Sequence, residues 1–257
     1  MLKKSQSYLP SLLLGLLLIG VYIWAWQGLK VDLNTIKDGG KYIAVFLSDF
    51  FPPNWQVLPL ALEALLETIQ MSIIGTTIGA FLSLPIAIIS AHNLSPYGLQ
   101  FLGNLIQNTL RSIPSIILAL IFVSAIGLGA TAGTFALGIY SIGYLAKFYQ
   151  EAIESVEANS LQALEVTGAS WLQIAQYGIL PQILPLALGY TLYMFEYNIR
   201  AASILGVVGA GGIGFELVSY INGFERTKAS TFMIVMLVVV TTIDWGSSKL
   251  RQKLADR

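Results

Sequence analysis

The 257-residue chain has no cysteine and a single histidine, His92. The first absence excludes a disulfide framework, a thiolate nucleophile and a Cys/His zinc site. The second leaves His92 as the one imidazole available to a Ser-His-Asp arrangement. It lies in the polar stretch "SAHNLSPYG" between two apolar segments, where a solvated loop histidine is the expectation. Charge is scarce as well: 11% of residues are Asp, Glu, Lys or Arg, against about 25% in an ordinary soluble domain. The formal net charge is zero, so nothing points to a nucleic-acid partner. No G-x-x-x-x-G-K-S/T phosphate loop occurs, which excludes ATP hydrolysis by this chain itself.

Apolar sequence is abundant: 55% of residues are hydrophobic and the mean hydropathy is +0.71. A bilayer-crossing helix needs about 20 mostly apolar residues. Runs near 8–26, 65–90, 101–128, 131–149, 182–208 and 230–246 qualify, which predicts an all-α membrane protein with six transmembrane helices. The first run follows Lys3 and Lys4, lacks a small-x-small cleavage site, and carries Trp24 and Trp26 as interfacial anchors. It reads as a retained span. Within the more polar residues 27–60, "KYIAVFLSDFF" is too short to cross and is expected along the interface. Lys3 and Lys4, with Lys249, Arg251, Lys253 and Arg257, put both ends in the cytoplasm by the positive-inside rule. The 150–180 loop then falls on that side too, and the glycines near 206–215 on the outer side. The chain thus divides into 1–60, a first helix with an interfacial segment; 61–246, a transmembrane core; and 247–257, a basic tail.

Ionisable residues inside apolar runs are costly and face protein or water. Glu196 and Arg200 stand at i and i+4, hence on one helix face. With a rise of about 1.5 Å per residue from Pro185 they lie roughly 16 and 22 Å into the membrane. Two readings stay open. They belong to an internal ion pair that holds two helices together, or Arg200, with Asn198 nearby, lines an anion's route while Glu196 moderates its attraction. Arg111, in "LRSIP" before Pro114, belongs to a helix break, snorkelling, pairing or lining the same route. Glu63 and Glu67 read as a water-facing helix end, and Glu216, Glu225 and Arg226 as solvated outer residues.

The segment "GVVGAGGIGF" places Gly209, Gly211 and Gly214 in G-x-G-x-x-G order. A dinucleotide site would need a strand before the glycines and an acid about 20 residues after them. Here a membrane run precedes them and "MIVMLVVV" follows. Gly209, Gly211, Gly212 and Gly214 instead suit close backbone approach, as a gate or packing element at the outer end of a pathway.

The 150–180 loop is rich in helix formers. Asn159 can cap a helix with Gln162 three positions on, Leu161, Leu164 and Glu165 continue it, and Gly168 suits its left-handed end. Ser170 with Gln173 can cap a second helix, and Pro181 and Pro185 are expected to break the chain before the fifth span. A surface hairpin would satisfy these signals.

The loop also resembles the EAA loop of permease subunits of ATP-binding-cassette importers. That pattern is E-A-A, three residues, Gly, nine residues, then I-x-L-P. Gly168 and the pair Leu180-Pro181 keep the spacing. Gln162, Ala163 and Leu164 occupy the E-A-A slot, so an amide stands where the carboxylate belongs, with Glu165 close by. Gly178 occupies the isoleucine slot, with Ile179 next. The resemblance implies that residues 157–175, from Glu157 onward, dock into a cleft of a separate ATPase, with Trp171, Leu161 and Leu164 as apolar anchors.

Residues 189–217, "GYTLYMFEYNIRAASILGVVGAGGIGFEL", together with "LRSIP", look like the phosphonate-type permeases, which handle phosphonates, phosphite and related oxyanions. Methionine-type permeases share "VGAGGIG". The resemblance implies a type I importer permease fold in a prokaryotic cell membrane, among lipid. It implies a second copy of the chain, two ATPase subunits that bind ATP and Mg, and an extracytoplasmic binding protein that selects the ligand. It implies no cofactor in this chain. An intramembrane enzyme would have only Glu196, Arg200 and Arg111 to work with. A channel or scaffold would leave the Gly168 to Leu180-Pro181 spacing unexplained.

Overall fold

The computed structural model describes residues 9–29, 33–157, 164, 166–170 and 173–255. Two compact units divide at Asp49 and Phe50. In the first, the run of leucines and aromatics forms α1 (Leu9–Gly28), whose described side chains are apolar apart from Ser11 and Gln27 and exposed on every face except at half-buried Gly15. Helix α2 (Leu33–Ser48) follows; at 16 residues it is too short to cross. Its Tyr42, Ile43, Val45, Phe46 and Leu47 are exposed.

The second unit is helical throughout its described residues: α3 (Leu58–Ser90), α4 (Tyr97–Ser112), α5 (Ser115–Ile126), α6 (Ala130–Glu154), α7 (Leu180–Leu205), α8 (Gly212–Asn222) and α9 (Arg226–Ala255). Helices α3 and α6 run parallel in close contact, because small residues meet along the seam. A Cβ at Gly75 would stand 2.9 Å from Leu137 Cβ, and Gly79 lies against Ser141. With lipid on the outside, such small-residue seams replace the hydrophobic drive of a soluble core. Buried hydroxyls on these helices donate back to carbonyls one turn earlier, Thr68 to Ala64 (2.9 Å), Ser72 to Thr68 (2.8 Å) and Ser141 to Leu137 (2.6 Å). No polar hydrogen is then left bare in an apolar surrounding.

Hydrogen bonds between distant residues sort the helix ends into two groups. At one end the Asn54 N–H donates to Thr227 O (2.9 Å) and the Gly129 N–H to Gly209 O (2.9 Å). At the other, Asn93 Nδ2 donates to Ile153 O (2.8 Å). The loop between α6 and α7 leaves from this second end.

Among the described residues four helical stretches are long and apolar enough to cross a membrane, and five if the bent α4–α5 pair is one span. The expected six are therefore not all recovered by length and composition. The 101–128 run bends by 82° between Ser112 and Ser115, where Pro114 lacks the N–H a continuous helix needs. Helix α6 falls outside the count since its surface is small and polar, with Thr, Ser, Gly and Tyr, and much of it is buried against other helices. One further expectation is corrected. Pro181 and Pro185 do not break the chain: a π-helical turn, Ile174–Ile179, runs directly into α7, Pro181 occupies its first turn, and Pro185 lies within it. A first-turn proline costs no hydrogen bond. Helix α9 continues through the basic segment as far as Ala255.

Candidate functional site

Glu196 and Arg200 share one face of α7, and that face is covered by α9. The buried Glu196 carboxylate (5% exposed) accepts from Arg251 Nη1, and Arg251 Nη2 also donates to Ser248 Oγ at 3.0 Å. Arg200 Nη1 reaches both oxygens of Asp244 at 2.8 Å, with both side chains about two-fifths exposed. The two α7 residues are thus neutralised by α9 rather than by each other. The carboxylate beside Arg200 is Asp244, not Glu196, because an i,i+4 pair shares a face and the facing helix offers each a better-placed partner.

Asn198 points elsewhere. Two residues along a helix is about 200° around it. There Asn198 is fully buried, and its Nδ2 donates to Thr76 Oγ1 of α3 and Ser141 Oγ of α6, both at 2.8 Å. Its Oδ1 accepts from nothing among the described residues. Asn198 therefore joins three helices and does not stand beside Arg200.

Arg111, in the last turn of α4 at the break, is exposed. Its guanidinium carbon lies 5.3 Å from the centre of the Tyr144 ring. Tyr144 packs on Tyr140 (4.7 Å), and Tyr140 stacks on Tyr197 (5.4 Å) with their hydroxyls bonded at 2.8 Å. Among the described residues no carboxylate pairs with Arg111, in contrast to Arg200 and Arg251. A separate cavity of about 700 Å³ is lined by Phe148, Gln182, Tyr190, Tyr193 and Arg251, among others.

The glycine cluster is a turn packed backbone to backbone. After α7 the chain makes a 3-10 turn, Gly206–Val208, and Gly209 takes a left-handed conformation (φ 84°). Gly211 (φ 80°) approaches the start of α6 so closely that a Cβ would lie 2.6 Å from the Ala130 nitrogen. Gly212 (φ 71°) abuts Thr68, whose hydroxyl accepts from the Ile213 N–H at 2.8 Å. Gly214 fits against the backbone of Ser203, and Gly206 against that of Gly214. All four predicted glycines are buried. A left-handed φ and a neighbouring backbone within contact distance both demand glycine.

In the 157–181 loop, Gly168 is left-handed (φ 78°), and the Thr167 and Ala169 N–H groups both donate to Leu164 O (3.2 and 3.3 Å). Gln173 Oε1 accepts from the Ser170 N–H (2.8 Å) and hydroxyl (3.0 Å), which is the reaching-back half of a capping box. Glu157 is exposed, and Leu180 and Pro181 open α7. Asn159, Leu161, Gln162, Ala163, Glu165 and Trp171 lie outside the described residues.

At the root of this loop the structure assembles a polar cluster that sequence reasoning missed. Glu154 Oε1, at the end of α6, accepts from the His92 N–H (3.0 Å) and Gln150 Nε2 (2.9 Å), and lies 3.0 Å from His92 Nδ1. Gln107 of α4 donates to Gln150 at 2.5 Å, and Gln150 also donates to Ser90 O at 3.2 Å. Burial pushes the Glu154 carboxyl up, but hydrogen bonds from Gln150 and His92 and the charge of His92 outweigh it and hold the carboxyl below its ordinary value. Also unforeseen were Asp244 and the inward role of Arg251. Asp244 carried a usable signal, a lone acid late in an apolar helix.

Residues 83–254 match the family model described as the binding-protein-dependent transport system inner membrane component. A phosphite transport system permease protein of Stutzerimonas stutzeri is 36% identical over 238 residues, covering 92% of this chain and 86% of that protein. A phosphate-import permease protein of Mycolicibacterium smegmatis is 38% identical over 205 residues, 79% of this chain and 38% of that one. Among solved structures, a chain of the MetNI methionine ABC transporter in an inward-facing conformation superposes with a TM-score of 0.70. It is 21% identical and covers 78% of this chain and 99% of that chain. At that identity the likeness establishes the fold, that of a type I importer permease, and says nothing of the cargo.

Proposed function

Because the chain belongs to the family of binding-protein-dependent transport inner-membrane components, we propose that it is the translocating subunit of an ATP-driven importer of phosphorus oxyanions. The observation that carries the cargo is the phosphite permease relative, similar along nearly the whole chain. As a multi-pass inner-membrane transport subunit it is not an enzyme, and an ATPase and a binding protein complete the system.

Two copies of the chain form the pathway on a two-fold axis, embedded in lipid with both termini in the cytoplasm. Residues 157–181 dock on two ATPase subunits, which hold the ATP and Mg, and this chain holds no cofactor. Arg111 is the guanidinium that meets the anion first, since it has no described carboxylate to displace. Arg200 meets it after exchange with Asp244. Glu196 and Asn198 act from behind, fixing α9 and the α3–α6 seam to α7. Gly209, Gly211, Gly212 and Gly214 form the outer packing element that opens and closes with α6. A guanidinium already shared with a carboxylate attracts an anion without trapping it, which suits passage.

The test is ATP hydrolysis by the reconstituted assembly with its binding protein. Phosphite, phosphonate or phosphate should raise it. A response confined to methionine would overturn the cargo, and failure of any ATPase to co-purify would overturn the importer reading.

A further inference from the structure

The loop that joins α6 to α7 can move the helices only through what its ends are fastened to. Its first residues follow Glu154, and Glu154 is fastened sideways. One carboxylate oxygen holds the His92 N–H, faces the His92 imidazole at 3.0 Å and accepts from Gln150. Asn93 adds a bond to Ile153 O at 2.8 Å. Gln107 and Ser90 connect the same cluster to α4 and the end of α3. The turn between α3 and α4 is therefore tied to the root of the loop by side chains from both partners, and the tie is partly buried, with Glu154 about one-fifth exposed.

We infer that the His92–Glu154 junction is the positioning element that carries displacement of the 157–181 loop to α3 and α4. This rests on the reading of that loop as the ATPase-docking element. Three contacts to α6 converge on two adjacent residues of a six-residue turn, so a shift of the α6 end is carried to the ends of α3 and α4. The other charged groups of this end of α6 leave the junction undisturbed: Glu151 is held by Lys147 at 3.4 Å. Glu157 follows in the loop, exposed, and α3 and α4 present no acid or base to His92 among the described residues.

The test uses the permease with its ATPase and phosphite-loaded binding protein in liposomes, reading phosphite carried per ATP hydrolysed. Glu154→Ala should keep the ATPase bound and hydrolysing while this ratio falls roughly threefold to thirtyfold. Since His92 is two-thirds exposed, His92→Ala should leave the fold in place and lower the ratio as well. A wild-type ratio in Glu154→Ala or His92→Ala overturns the inference and leaves the docking loop standing. A wild-type permease that holds no ATPase overturns both.

Discussion

At the scale of single residues, the informative contrast is among three arginines. Arg251 serves Glu196, which is almost wholly buried. Removing one partner of a buried pair costs about 3–5 kcal/mol, because the other charge is left uncompensated. Arg251→Met should therefore lower the melting temperature in detergent strongly, and Glu196→Gln combined with it should restore much of the loss. Equal stability of Arg251→Met and wild type would contradict the pairing. Arg200 and Arg111 differ in another way: the first is held by two 2.8 Å bonds to Asp244 and the second rests on a tyrosine ring. A charge-assisted hydrogen bond contributes about 1.5–3 kcal/mol. Arg111→Gln should then reduce uptake roughly tenfold or more, and Arg200→Gln less, in proteoliposomes with matched permease content. Unchanged uptake in both would remove the arginines from the route.

At the scale of elements, the α7–α8 turn depends on conformations and clearances that a side chain violates. Gly211→Val places a branched side chain at φ 80° and against the Ala130 backbone. Transport should stop while insertion survives, since the spans themselves are untouched; normal uptake by this variant would end the assignment. The turn at His92 offers a second check, on stability. The Glu154 carboxyl ionises more readily in the fold than its ordinary value of 4.5. Its stabilisation is therefore complete above that value and disappears as pH falls through the lower, folded one. Thermal melts below about pH 4.5 should drop more steeply for wild type than for Glu154→Gln, and parallel acid limbs would show that the carboxylate contributes nothing. Much of this level was readable in the sequence. Apolar runs located the helices, Pro114 the break, Gly168 the left-handed turn, and Ser170 with Gln173 a cap. These signals are local, so spacing alone carries them.

At the scale of the whole chain, spacing was not enough. That Glu196 and Arg200 share a face follows from four residues of separation, but what covers the face depends on α9, 44 to 55 residues away. The same holds for Asn198, whose partners Thr76 and Ser141 lie on two other helices. The span at 131–149 was readable as a helix and not as an interior one, because its small residues signal burial only once α3 lies against them.

The paired charges also set a timetable. Glu196 and Arg200 leave the ribosome before Asp244 and Arg251 exist, and an unpaired charge at mid-membrane costs about 2.5–3.5 kcal/mol on insertion scales. Helix α7 carries that cost until α9 is made, and the arrival of Asp244 and Arg251, 44 and 55 residues later, relieves it.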